Sequence, residues 1–143
     1  MNECWAPNTL WNISLNGNIH NIKPQIITDY EFYQGRKSYV SNITGAYYAL
    51  RKSVYEYLYK IRKQARVLIF KEVSGGYVVP LGVWIIRETV NNAMWTSEPV
   101  IFDNFDDALK SMARGFMVDY KIWKNSSKII NYIKTQKTLD LFL

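Results

Sequence analysis

Over residues 44–64 the apolar side chains of Ala46, Leu50, Val54, Leu58 and Ile61 recur every three or four positions, with no proline in the run. An α-helix turns once every 3.6 residues, so this spacing gathers all of them into one stripe. A long helix with a single apolar stripe must lay it on a core, and this demand organises the rest of the chain. Thr44 stands where an N-cap belongs. Residues 67–73 then read as a strand, Ser74-Gly75-Gly76 as a turn, and 77–88 as the antiparallel hairpin partner. Pro80 puts an edge, a bulge or a late start in that second run. Val83-Trp84-Ile85-Ile86 is apolar on both faces, which predicts cover on both sides.

The flanks are less regular. Up to residue 41, Asn2, Asn8, Asn12, Asn16, Asn18 and Asn21, with Gly17 and Pro24, carry turn chemistry rather than long elements. Residues 9–15 fit a short strand, and 26–33 fit a short strand or a helical turn. Residues 98–102 fit a third short strand. A second helix opens near residue 104, with Asp103 or Asn104 as N-cap and Asp106 and Asp107 in its first turn. A third helix is predicted over 118–133. The expected architecture is α+β: one domain over residues 1–134, a small antiparallel sheet with a central β-hairpin, and about three helices. Residues 1–41 form its irregular N-terminal part, and 135–143 stand apart as a tail.

A chain of 143 residues suits one domain, and 48% hydrophobic with 15% aromatic residues marks it as globular. No apolar run reaches the roughly 20 residues of a membrane span, and no basic-then-apolar leader opens the sequence. Cys4 is the one cysteine, so no intrachain disulfide and no cysteine-based zinc site is expected. No phosphate-binding loop or paired-histidine motif occurs, and His20 and Cys4 have no evident catalytic partner. No metal, cofactor or membrane partner is expected, and the cytoplasm, at the nucleoid, is the expected location.

The net charge of +6 points to a polyanionic partner. Arg51, Lys52, Lys60, Arg62, Lys63 and Arg66 concentrate it, with Tyr47, Tyr48, Tyr55, Tyr57 and Tyr59 interleaved. Cations beside aromatics suit nucleic acid, because arginine and lysine meet phosphates while aromatic faces stack on bases. A solvated helix face on a basic protein is the competing reading.

The last eight residues read Gln136-Lys137-Thr138-Leu139-Asp140-Leu141-Phe142-Leu143. One tight helical turn brings Leu139 and Phe142 to one side, and Leu143 extends the apolar surface. Gln136 carries a donor and an acceptor for a polar side pocket. This pattern resembles a PCNA-interacting peptide, the tail by which repair and replication proteins dock on the sliding clamp. Each buried Leu or Phe contributes roughly 1.5–3 kcal/mol, and ordering the segment costs roughly 2–5 kcal/mol. The balance implies a dissociation constant on the order of micromolar. The competing reading is a helix end packed on the core.

Three stretches carry a broader resemblance: GAYYALRKSVYEYL over 45–58, RKQARVLIFKEV over 62–73 and YVVPLGVWIIRE over 77–88. Their order and spacing resemble the C-terminal part of the archaeal Nre family of DNA repair proteins, and FDNFDDALKSM over 102–112 is similar to the segment that follows. The resemblance implies a PCNA-binding accessory protein in DNA repair or replication, with DNA as a second partner. Full-length family members carry an additional cysteine-rich N-terminal half, so a short version leads to the expectation of an archaeal virus or mobile element as its source. The polar residues within the matched stretches are Tyr48, Arg51, Glu56, Arg87 and Glu88. They make either a functional cluster at a strand end or internal ion pairs. The alternative to a clamp accessory is a basic nucleic-acid-binding domain, or an enzyme acting on DNA, whose tail is structural.

Overall fold

The computed structural model describes residues 1–6, 9, 24–76 and 82–135. Strand β1, Asn2–Trp5, lies in the middle of a three-stranded sheet. It pairs antiparallel with β2, Gln25–Thr28, and parallel with β3, Phe70–Val73. Parallel neighbours need a long crossover, and helix α1, Gly45–Ile61, supplies it. Helix α2, Val83–Thr96, packs along α1. Helices α3, Phe105–Ala113, α4, Tyr120–Ser126, and α5, Lys128–Thr135, complete the described order.

Alternation along the strands divides the core into two. Ile27 and Ile69 pack with Met1, Val40, Ile43, Tyr47 and Leu50 on the side covered by α1. Their neighbours Ile26 and Phe70 turn the other way and meet Cys4, Val118 and Trp123. The Trp123 ring stands edge-on to Phe70 at 5.2 Å and tilted against Phe116 at 5.4 Å.

Polar residues in β1 are buried because each has a partner. The Glu3 carboxylate accepts from Lys71 Nζ at 2.8 Å and from Trp5 Nε1 at 2.9 Å. The backbone N–H of Asn2 donates to the Ile69 carbonyl at 2.8 Å. Just past β2, buried Asp29 Oδ2 accepts the backbone N–H groups of Asn42 at 3.1 Å and Ile43 at 2.6 Å. These bonds fix the entry to α1. Thr44 makes no side-chain cap there and has a positive φ of 55°. Asn104 does cap α3, its Oδ1 accepting from Asp106 N–H at 2.8 Å.

The α+β single domain is as expected, but among the described residues the central β-hairpin is absent. Residues 83–96 form α2, so the sheet is mixed and built around the N-terminal strand. The β-branched run misled because Ile86 and Val90, four apart, are the α2 residues that reach the core cluster around Leu50. Tertiary burial at helical spacing thus overrides local strand propensity. Gly82, at φ 81°, precedes the first turn of α2. Residues 77–81, with Pro80, lie outside the described residues, as do 10–15 of the strand expected over 9–15.

Residues 98–102 form no strand; Val100 and Ile101 project outward, 73% and 89% exposed. Residues 1–41 are more regular than expected, since they hold β1 and β2. The helix expected over 118–133 is two helices, raising the number to five among the described residues. Ser127 breaks it in an extended conformation, and its Oγ accepts from Ile130 N–H at 3.4 Å at the start of α5.

Candidate nucleic-acid interface

The face of α1 turned from α2 borders a cleft of about 500 Å³. Its α1 wall presents Tyr47, Leu50, Arg51 and Tyr55. The segment after β2 contributes Tyr30, Glu31, Phe32 and Tyr33, and the α1–β3 link contributes Ala65, Arg66 and Val67. Ile129, Tyr132 and Ile133 of α5 close the remaining side. Elements far apart in sequence therefore meet here, beside the sheet that pairs Asn2 with Phe70 and with Thr28.

Aromatic rings dominate the rim. Phe32 contacts Tyr30 at 5.2 Å and Tyr132 at 4.7 Å between centroids. Tyr55 and Tyr59 stack at 6.1 Å, one helical turn apart, and are 65% and 74% exposed. Tyr33 is 90% exposed. Large aromatics concentrated on one open surface mark an interaction site more often than a solvated face.

Charge is graded across the same surface. Along the cleft wall, half-exposed Arg51 donates through Nε to Glu31 Oε1 at 2.7 Å, so the two charges largely compensate. Burial pushes the Tyr47 phenol up to about 12, with Glu31 adding to the effect, so this hydroxyl stays neutral at physiological pH. Along the link, Arg66 at the cleft wall and Arg62 and Lys63 beyond it are exposed, and no carboxylate among the described residues pairs with them. Arg62 closes α1 in the left-handed conformation, its N–H reaching the Leu58 and Tyr59 carbonyls.

The six cations singled out in the sequence therefore divide. Arg51 and Arg66 line the cleft, and Arg62 and Lys63 lie on the adjoining link. Lys52 faces Glu56 at 3.5 Å along α1. Lys60 sits over the Trp95 ring at 4.5 Å, toward α2 rather than the cleft.

The residues proposed as a polar cluster are not brought into one site. The Tyr48 hydroxyl accepts from Val40 N–H at 3.1 Å, and Glu56 is turned to Lys52. Arg87 and Glu88 pair with each other at 3.1 Å on α2, at no strand end. Glu72 is engaged as well, accepting from the backbone N–H groups of Met117 at 2.9 Å and Val118 at 3.0 Å. Among the described residues no group of acids, histidine or cysteine is placed to hold a metal ion. Burial, with Glu72 and Glu3 nearby, pushes the Cys4 thiol up to about 12, which suits a packing role rather than a nucleophile.

Gln136, Leu139, Phe142 and Leu143 lie outside the described residues, immediately after α5. Sequence reasoning missed the contributions of residues 30–33 and of α5 to the cleft. The Tyr-Glu-Phe-Tyr run at 30–33 was the available signal; nothing local tied it to Tyr132. No helix among the described residues is long and apolar enough to cross a membrane.

Residues 31–142 match the family described as archaeal Nre, C-terminal. The chain belongs to the archaeal Nre family. Its Nre relatives include the DNA repair protein NreB of Archaeoglobus fulgidus, 33% identical over 99% of this chain and 34% of the relative. The DNA repair protein NreA of the same organism is 37% identical over 85% of this chain and 28% of the relative. NreA of Haloferax volcanii is 34% identical over 77% of this chain and 25% of the relative. The chain thus spans about a third or less of the length of the Nre proteins it matches. No solved structure matches it.

Proposed function

We propose that this Nre domain is a DNA-repair accessory module that docks on the PCNA sliding clamp through its last residues and meets DNA with its basic surface. The repair role rests on the names its relatives carry. The clamp reading rests on the pattern of Gln136, Leu139, Phe142 and Leu143. One structural observation joins the two parts. Helix α5 forms a wall of the cleft and ends at Thr135, one residue before that pattern begins. A clamp-bound tail would hold the cleft and the cationic link close to DNA passing through the ring. Tyr48, Glu56, Arg87 and Glu88 are engaged in separate pairings, so the geometry favours binding over catalysis.

Calorimetric titration of an archaeal PCNA tests the tether. The intact chain should bind at about micromolar strength, and a Leu139→Ala/Phe142→Ala variant should not bind while melting at the unchanged temperature. Normal binding by that variant sinks the clamp assignment. For the DNA contact, replacing Arg62, Lys63 and Arg66 together by Ala should flatten the dependence of log K on log salt for duplex DNA by about 2–3. An unchanged slope removes that surface from the interface.

A further inference from the structure

We infer that the cleft takes an unpaired nucleobase, so that this module recognises single-stranded or extruded nucleotides rather than the regular duplex. The inference rests on the DNA-binding reading above and names the form of DNA.

The charge gradient decides between a base and a phosphate inside the cleft. Glu31 lies within it, 24% exposed at the side chain and bonded to Arg51 at 2.7 Å. A phosphate pushed in beside Glu31 would meet a carboxylate, and the Arg51 guanidinium next to it is already engaged. A neutral ring meets no such repulsion. It finds instead the Glu31 oxygens as acceptors, the Tyr47 hydroxyl and the remaining Arg51 N–H groups, which suit the polar edge of a base. Phosphates belong at the mouth, where exposed Arg66 edges the cleft and Arg62 and Lys63 stand on the adjoining link. A strand crossing the rim can lay its backbone on these cations and turn one base inward.

Size and surface agree with that occupant. A volume of about 500 Å³ falls within the roughly 300–1,000 Å³ typical of small-molecule sites. The exposed rings of Tyr33 and of Tyr55, the latter stacked on Tyr59, offer aromatic surface at the mouth, and stacking accepts any base because every base has a π-face. A duplex offers no free base face to these rings, so its contacts would be limited to the cations.

Fluorescence anisotropy of the full chain with a labelled oligothymidine, and with a blunt duplex of equal length, tests this. The single strand should bind at least about tenfold more tightly. Tyr33→Ala and Tyr55→Ala should each weaken the single strand by about 5- to 150-fold, the range for loss of one stacked base. Both should leave duplex binding unchanged, and Tyr55→Trp should restore the single-strand affinity. Both tyrosines are exposed, so folding is retained, and unchanged melting temperatures verify it. Equal affinities for the two DNAs, with silent tyrosine variants, overturn the inference yet leave a salt-sensitive duplex contact standing. Polyglutamate displacing oligothymidine as well as unlabelled oligothymidine does would overturn it in favour of an acidic protein partner. If neither DNA binds while PCNA still does, the DNA half of the proposed function falls with it and the clamp half survives.

Discussion

Helices α2 and α4 make an instructive pair. The longer, α2, has 14 residues and buries none of them, leaving Val83, Trp84 and Trp95 about half exposed. The shorter, α4, has 7 residues, yet Trp123 at its centre is 1% exposed and sits among Cys4, Val118, Phe70 and Phe116. Length gives α2 more backbone hydrogen bonds, but the small net gain of each is offset by the entropy of fixing its residue, whereas buried apolar area adds stability outright. The anchored side therefore includes the sheet, α4 and α5, whose Ile130 is fully buried. The cleft is built on that side, with α2 laid along the far face of α1.

The sharpest way to break this contrast is to truncate one tryptophan on each helix. Trp123→Ala should cost about 3–5 kcal/mol, the range for deleting a buried aromatic. Trp84→Ala should cost less than about 1 kcal/mol. Chemical denaturation of both variants decides, and equal losses would mean that α2 is anchored as firmly as α4. Trp123→Phe refines the comparison. The Trp123 Nε1–H is buried without a partner among the described residues, so the smaller ring loses contacts but also removes an unsatisfied donor.

The second test concerns the start of β1. The Met1 ammonium donates to the Asp29 carbonyl at 2.8 Å in a buried position. Burial lowers its pKa from 8.0 to about 6, against a smaller opposing pull from Asp29 and Glu31. The unfolded chain therefore binds a proton at a higher pH than the folded one. Stability should be constant above pH 8 for this group and fall as the pH drops from 8 through 6. Two pH units at about 1.4 kcal/mol each give a loss of about 2–3 kcal/mol. Denaturation in a His20→Gln background, which removes the single histidine of the sequence, isolates the effect. A flat profile from pH 6 to 8 would place the amino group in water and loosen β1 from the anchored side.

The same contrast accounts for what could be read in advance. Helix α1 was legible because its stripe and its cover are both consequences of a 3.6-residue period. Helix α3 was legible from Asn104 and the acids after it, since a cap is a local device. Strand β1 was not: Asn2, Glu3 and Cys4 show no alternation, and their burial depends on partners at 25–28 and 70–73. Helix α2 was misread because Val83-Trp84-Ile85-Ile86 carries strand propensity, while the deciding spacing of Ile86 and Val90 is thinner evidence. At the cleft, Arg51, Arg66 and Tyr55 were visible as cations and aromatics beside a helix. Glu31 joins them from the segment after β2, and Tyr132 through its ring contact with Phe32, so no local pattern could announce their meeting.

A smaller effect than that at Trp123 or Met1 is expected where the two regions touch. Ser53 is fully buried between α1 and α2, its Oγ within reach of the Arg87 carbonyl at 3.2 Å and of the Ala49 carbonyl at 3.5 Å. The Arg87 carbonyl keeps its own bond within α2, so deleting the hydroxyl orphans no acceptor. Ser53→Ala should then cost about 0.5–1.5 kcal/mol, the net worth of one neutral hydrogen bond. Its signature should be regional. Hydrogen exchange should quicken at α2 amides while those of β1 and α4 keep their protection, because local opening follows the least anchored unit. Acceleration spread evenly over β1, α2 and α4 would mean that the molecule opens only as a whole. In that case the exposed surface of α2 would reflect its position in the fold rather than a weaker attachment.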